Sequence, residues 1–235
     1  MRLVASPPPG GFVVYRRYTL RIMMAFPEQN ATFLMPGSAG NLEAMIEFPV
    51  LVSEHTPVMV ICHPHPPDGG TMHNKVVTTL AKAFVESGYI SVRFNFRGVG
   101  QSQGHYDHGI GELEDCLAVL KLVQKHRALA PLALAGFSFG AWVALKASEQ
   151  ILPILMVSIA PPVGFRDFSE VANPSCPWLA VQGLQDEVVD ANTVIDWLES
   201  QNPRPEISAM PETSHFFHGK LLPLREQVKA FLQQQ

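Results

Sequence analysis

From about residue 40 to its end, the chain alternates between two hydrophobic rhythms. Short apolar, β-branched runs lie at 44–48, 58–62, 89–96, 132–135, 154–159, 178–182 and 206–210. Runs this short and this apolar are the signature of strands buried on both faces. Between them, apolar residues recur every three or four positions, which is the spacing of one face of a helix. That spacing predicts helices over 74–87, 111–126, 139–149, 192–200 and 219–233. In the first, the inward stripe is Val76, Val77, Leu80, Ala83 and Phe84, and Gly88 supplies the stop. In the second it is Leu113, Leu117, Leu120 and Val123. Strands alternating with amphipathic helices predict an α/β domain, with a mostly parallel central sheet and helices on both faces. No internal repeat or low-complexity linker interrupts the pattern.

The first 22 residues stand apart. They hold Arg2, Arg16, Arg17 and Arg21 and no acid, which leaves 13 cations against 21 anions in the remainder. Pro7, Pro8, Pro9, Gly10 and Gly11 exclude a helix or central strand there. The arginines also break every apolar stretch long enough for a signal peptide. Residues 1–22 are therefore expected to be a loose N-terminal extension, or sequence upstream of a start at Met23 or Met24. Residues 23–235 are expected to form one domain.

Composition narrows the class. Of 235 residues 47% are hydrophobic and 16% charged, with a mean hydropathy of +0.11, so a disordered or fibrous chain is excluded. No apolar run approaches the roughly 20 residues that cross a bilayer. A net charge of −4 with no basic stripe argues against nucleic-acid binding. Cys62, Cys116 and Cys176 are an odd number at wide spacing without a CxxC pair. They predict neither a disulfide framework nor a thiolate zinc site, and they fit a reducing cytoplasm.

The sharpest chemical signal is Gly136-Phe137-Ser138-Phe139-Gly140, placed between the strand at 132–135 and the helix at 139–149. G-x-S-x-G in a strand-to-helix turn is a nucleophile elbow. The tight turn exposes the Ser138 hydroxyl and aims a helix N-terminus at it. Side chains two residues before and two after would collide, hence the glycines. A serine needs a base, and the base needs an orienting acid. In this setting they follow in the order Ser, Asp, His, each on a loop after a later strand. Asp186 follows the strand at 178–182 and His215 follows the strand at 206–210. Glu187 is expected to point away from Asp186, and Asp190 to be a solvated or helix-capping carboxylate. His218 is the competitor for His215, read otherwise as a residue of the pocket wall or one packed directly behind it.

These residues together resemble the α/β-hydrolase superfamily, specifically a bacterial esterase-like group related to dienelactone hydrolases. The resemblance spans roughly residues 40–233. It is carried by His63-Pro64-His65-Pro66, Gly69-Gly70-Thr71-Met72, Arg93-Phe94-Asn95-Phe96-Arg97-Gly98, Asp107-His108-Gly109, the Ser138 elbow, Asp186 and Ser214-His215-Phe216-Phe217-His218-Gly219. Dienelactone hydrolases proper use a cysteine nucleophile. Ser138 in its place points to ordinary ester hydrolysis. The resemblance implies an oxyanion hole built from the backbone N–H groups of Phe139 and His65. Pro64, Pro66 and Pro67 have no N–H to give, and Asp68 is the alternative donor.

Weaker signals are read as structural. His63, His65 and His73 lack a carboxylate or cysteine to complete a metal site, so no metal is expected. Gly98, Gly100 and Gly104 do not match a dinucleotide loop, and Gly69-Gly70 is not a phosphate loop, so no cofactor is expected. Arg93 and Arg97 are read as anchors, paired with Asp107 or Glu114, and Phe216 and Phe217 as residues near the pocket. The segment 160–177, with Pro161, Pro162, Pro174 and Pro177, is too short for a cap domain. The expectation is a serine esterase with a Ser138–Asp186–His215 triad, acting on small ester substrates. The alternatives from sequence are a small-peptide or amide hydrolase, a thioesterase, and a non-catalytic binding protein of the same fold.

Overall fold

The computed structural model describes residues 26–169, 171 and 173–235; the expected extension at 1–22 lies outside the described residues. The strands are β1 (Ala31–Gly37), β2 (Gly40–Glu47), β3 (Val58–Cys62), β4 (Ile90–Phe94), β5 (Leu132–Phe137), β6 (Met156–Ile159), β7 (Trp178–Gly183) and β8 (Glu206–Met210). The helices are α1 (Lys75–Glu86), α2 (Ile110–His126), α3 (Phe139–Ser148), α4 (Ala191–Glu199) and α5 (Leu221–Leu232). One eight-stranded sheet runs in the order β1-β2-β4-β3-β5-β6-β7-β8. The β1–β2 and β2–β4 pairs are antiparallel and every other pair is parallel. This is the α/β-hydrolase architecture that the resemblance implies.

Each predicted helix forms close to its expected limits. Asn74 caps α1 by accepting the Val76 N–H at 2.8 Å, and Asp190 caps α4 by accepting the Thr193 N–H at 2.8 Å. Strand β4 is shorter than its apolar run. Beyond Phe94 the Asn95 N–H still donates to the Glu43 carbonyl of β2, and the next N–H, that of Phe96, leaves the ladder and donates to the His63 ring. Strand β1 lies upstream of the region where regular alternation begins. Only Phe33 and Met35 of its residues are buried, and Pro36 suits an edge strand, where one side needs no N–H donor.

The core has two layers, one on each face of the sheet. Helices α1 and α5 cover Met59, Ile61, Ala133, Ala135 and Val157. Helices α2, α3 and α4 cover Val60, Cys62, Leu134, Met156 and Ala180 on the other face. With helices on both faces, ligand access is left to the loops at the carboxyl ends of the strands, where open α/β sheets bind their ligands. The 160–177 connection contains no helix or strand among its described residues; it packs through Val163, Phe168 and Val171 into the core instead. Among the described residues no helix is long and apolar enough to cross a membrane.

Candidate active site

Five strand ends converge on Ser138. The serine sits between β5 and α3 at φ 52° and ψ −122°, a strained conformation for a side-chain-bearing residue. Its N–H is anchored on the Ile159 carbonyl at 2.8 Å. A Cβ on Gly136 would lie 2.1 Å from the Gly140 carbonyl oxygen, and one on Gly140 would lie 2.3 Å from that of Cys62. Both glycines of the elbow are thus dictated by backbone contact.

Asp186 follows β7 and His215 follows β8. The Ser138 Oγ lies 3.1 Å from His215 Nε2, and His215 Nδ1 lies 2.8 Å from Asp186 Oδ2. The carboxylate also accepts from Gln182 Nε2 at 3.0 Å and from the backbone N–H groups of Val188 and Val189 at 2.9 and 2.8 Å. Burial by itself raises the Asp186 pKa. The bonds from His215 and from the Val189 and Val188 N–H groups outweigh it, so the carboxyl is held below its ordinary value. An ionised Asp186 fixes the His215 proton on Nδ1 and leaves Nε2 free to accept from Ser138.

The structure brings all three expected residues into one relay and separates the competitors from it. Asp190 is the cap of α4. His218 is exposed and lines neither lobe of the site; its ring lies 6.1 Å from that of Phe216, which does, so of its two expected places it takes the one behind the wall. Phe216 lines the site, whereas Phe217 is buried in the core beneath α1 and α5. Glu187 turns to the histidine loop, where its Oε2 accepts the His215 N–H at 3.0 Å.

The two residues expected to donate to the oxyanion are in side-chain contact, with ring centroids 5.4 Å apart. Phe139 opens α3, where the first N–H groups of a helix have no intrahelical acceptor. The Asp68 N–H already donates to the His65 carbonyl at 3.2 Å, as does the Gly70 N–H at 3.0 Å. The Asp68 N–H is therefore already engaged within the loop. The loop is braced from beneath by His63, which is fully buried. Its Nδ1–H donates to the Pro64 carbonyl at 2.7 Å, and its Nε2 accepts the Phe96 N–H at 3.0 Å. Burial lowers its pKa to about 3, so the ring is neutral. With both nitrogens of His63 so engaged, and those of His65 bonded to Asp68 and Tyr106, the two rings do not converge on a common metal position.

Two lobes flank the serine. One, of about 210 Å³, is lined by Phe139, Pro162, Phe165, Arg166, Val188 and Val189. The other, of about 240 Å³, is lined by Pro64, Gly69, Gly70, Asn74, His215 and Phe216. His65, Asp68, Ser138 and Val188 border both. The 160–177 connection builds one wall through Pro162, Phe165 and Arg166. Sequence reasoning missed Tyr106, whose hydroxyl lies 2.8 Å from both His65 Nε2 and Arg166 Nη2. It also missed Arg166, Gln182 and the contact of Glu187. None of these sits in a local pattern that signals a role.

Residues 40–169, from β2 through the first part of the β6–β7 connection, match the family model described as X-Pro dipeptidyl-peptidase (S15 family). The match includes Ser138 and ends before Asp186 and His215. The uncharacterized protein RP471 of Rickettsia prowazekii (strain Madrid E) is 34% identical over 206 residues, covering 83% of this chain and 86% of that protein. XC6422 from Xanthomonas campestris, described as an α/β serine hydrolase without lid, shares 44% identity at a TM-score of 0.86, over 89% of this chain and 96% of its own. An α/β serine hydrolase homologue from Coxiella burnetii shares 46% identity at a TM-score of 0.84, over 88% and 99%. The chain belongs to the S15 family of X-Pro dipeptidyl-peptidases and is a serine hydrolase of the α/β fold.

Proposed function

We propose that this protein hydrolyses small carboxylic esters through an acyl-enzyme on Ser138. The observation that carries the reading is the unbroken relay from Ser138 Oγ through His215 to Asp186, at 3.1 and 2.8 Å, opening on a two-lobed cavity. His215 Nε2 takes the Ser138 proton as Oγ attacks the ester carbonyl. The negative charge that develops on the carbonyl oxygen is stabilised by the N–H groups of Phe139 and His65. His215 then returns the proton to the departing alcohol, and a water molecule repeats the sequence on the acyl-enzyme. Asp186 stabilises the imidazolium at both stages. Each oxyanion donor contributes on the order of 10²–10³-fold to turnover. Three free cysteines, two of them buried, support a reducing location such as the cytoplasm in this reading.

The test is hydrolysis of 4-nitrophenyl acetate, butyrate and octanoate, with Ser138→Ala alongside. Lobes of about 210 and 240 Å³ favour the short acyl chains, so turnover is expected to fall toward octanoate. Ser138→Ala is expected to lower kcat/KM by about 10³-fold or more. A folded variant with near-native rates would sink the mechanism.

The family description favours a second reading, release of a dipeptide from an X-Pro amino terminus. The same relay serves amide and ester bonds alike. Asp68, exposed at the rim of both lobes, is a carboxylate that a peptide ammonium could face. Cleavage of an X-Pro 4-nitroanilide faster than of 4-nitrophenyl acetate, per active site labelled by a fluorophosphonate, would select it.

A further inference from the structure

His215 must protonate the leaving group, so the lobe that contains His215 receives the alcohol portion of the substrate. The remaining lobe then receives the acyl portion. Its far wall carries Arg166, whose guanidinium lies 4.9 Å from the Phe139 ring centroid and 5.7 Å from that of Trp142. Nη2 donates to the Tyr106 hydroxyl at 2.8 Å, and Nη1 points to the His108 carbonyl at 3.3 Å. Among the described residues no Asp or Glu forms an ion pair with it. A guanidinium has five N–H donors, so several remain for a ligand.

The guanidinium is also held in place. Arg166 donates to Tyr106, the Tyr106 O–H can donate to His65 Nε2, and His65 Nδ1–H can donate to Asp68 at 2.7 Å. The four side chains form one directional chain along the rim of the site. Stacking on Phe139 and Trp142 fixes the plane of the guanidinium. A planar cation held at its back, with free donors and no carboxylate partner among the described residues, is a receptor for a carboxylate.

We propose that the acyl portion of the substrate carries a carboxylate, and that Arg166 binds it. The substrate class is then the monoester of a short dicarboxylic acid. This rests on the ester reading above and specifies its acyl side. Among the described residues Asp68 is the one opposing charge in the lobe; it is largely exposed and its Oδ2 faces His65. Replacing it with Asn is expected to strengthen the preference.

The experiment compares three 4-nitrophenyl esters of matched chain length, each corrected for spontaneous hydrolysis: the glutarate monoester, pentanoate, and 5-(trimethylammonio)pentanoate. In the wild-type protein kcat/KM is expected to be about tenfold or more higher for the acidic ester than for pentanoate, and lowest for the cationic ester. Arg166→Gln should bring the acidic-to-neutral ratio close to one, and Arg166→Lys should retain part of it. Fluorophosphonate labelling of Ser138 reports whether each variant is folded. An acidic-to-neutral ratio near or below one in the wild type overturns the proposal without needing any variant. So does a ratio that survives in labelled Arg166→Gln. A wild-type protein that labels with fluorophosphonate yet cleaves none of the esters overturns both this proposal and the ester reading. Turnover of pentanoate with no acidic preference overturns this proposal alone.

Discussion

His63 is the residue whose chemistry is most completely decided by its surroundings. Both ring nitrogens are engaged with backbone, and no part of the ring meets solvent. Burial drives its pKa from 6.5 to about 3. A group with a lowered folded pKa stabilises the native state above its unfolded pKa and withdraws that contribution as pH falls. Between pH 6.5 and about 3 the unfolded chain binds a proton at this site that the folded one refuses. Stability should therefore fall from this source by about 1.4 kcal/mol per pH unit below 6.5. His63→Gln keeps an acceptor in the side chain and removes the titration. Urea denaturation across that window should show a variant less stable at pH 7 but with a shallower acid slope. Identical slopes would show that His63 is not buried and neutral. Because His63 braces the strand end from which His65 extends, the same variant should lower ester turnover as well.

At the scale of elements, the β5–α3 elbow is the unit on which the chemistry depends. The φ of 52° at Ser138 persists because neighbours on both sides leave no alternative. The Gly136 and Gly140 positions are closed by carbonyl groups of Gly140 and Cys62, which cannot rotate aside as a flexible side chain would. Gly140→Ala must separate α3 from the end of β3. It should lower stability by about 1–3 kcal/mol and reduce fluorophosphonate labelling of Ser138 severalfold. Chemical denaturation and a labelling time course check both, and a native-like result in both would contradict the packing. Helix α2 shows the same economy. Gly111, unfavourable inside a helix, leaves the space in which the Arg97 guanidinium lies, since a Cβ there would be 1.9 Å from Nη1. Glu112 in the first turn accepts the N–H groups of Asp107 and Gly109, holding the segment that carries Tyr106.

At the scale of the molecule, the Arg97 cluster joins parts of the chain that are distant in sequence. Its guanidinium pairs with Asp115 through Nε at 3.1 Å and Nη2 at 2.9 Å, reaches Glu114 at 3.1 Å, and bonds Ser38 in the turn between β1 and β2. Asp107, an expected partner, lies 3.9 Å away, and the principal partner is the fully buried Asp115. Arg93 likewise pairs with Glu47 at 3.1 Å across β4 and β2. Removing one member of a buried pair strands the other charge. Arg97→Met should therefore cost about 3–5 kcal/mol, and Asp115→Leu a similar amount. The double variant Arg97→Met, Asp115→Leu should recover a substantial part of the summed loss, because no lone charge remains. Strict additivity in thermal or urea denaturation would show that the pair is not coupled.

Local rules carried much of this protein. Short continuous apolar runs, the 3.6-residue period and the caps Asn74 and Asp190 are set by neighbours in the chain, so the helices and the parallel strands are legible in the sequence alone. The elbow is legible because tight strand-to-helix turns impose glycine at defined offsets. The order of Asp186 and His215 is legible because each follows a strand that can be recognised by itself. Strand β1 is not, since a partly buried edge strand containing Pro36 loses the apolar run that marks the others. Nor is the chain from Asp68 to Arg166, whose links join residues 41 and 60 positions apart. Nor is the Asp115 clasp on Arg97. Those contacts depend on which strand ends the sheet order places side by side. That order is decided by packing the whole sheet between its two helical layers, and no local stretch of sequence records it.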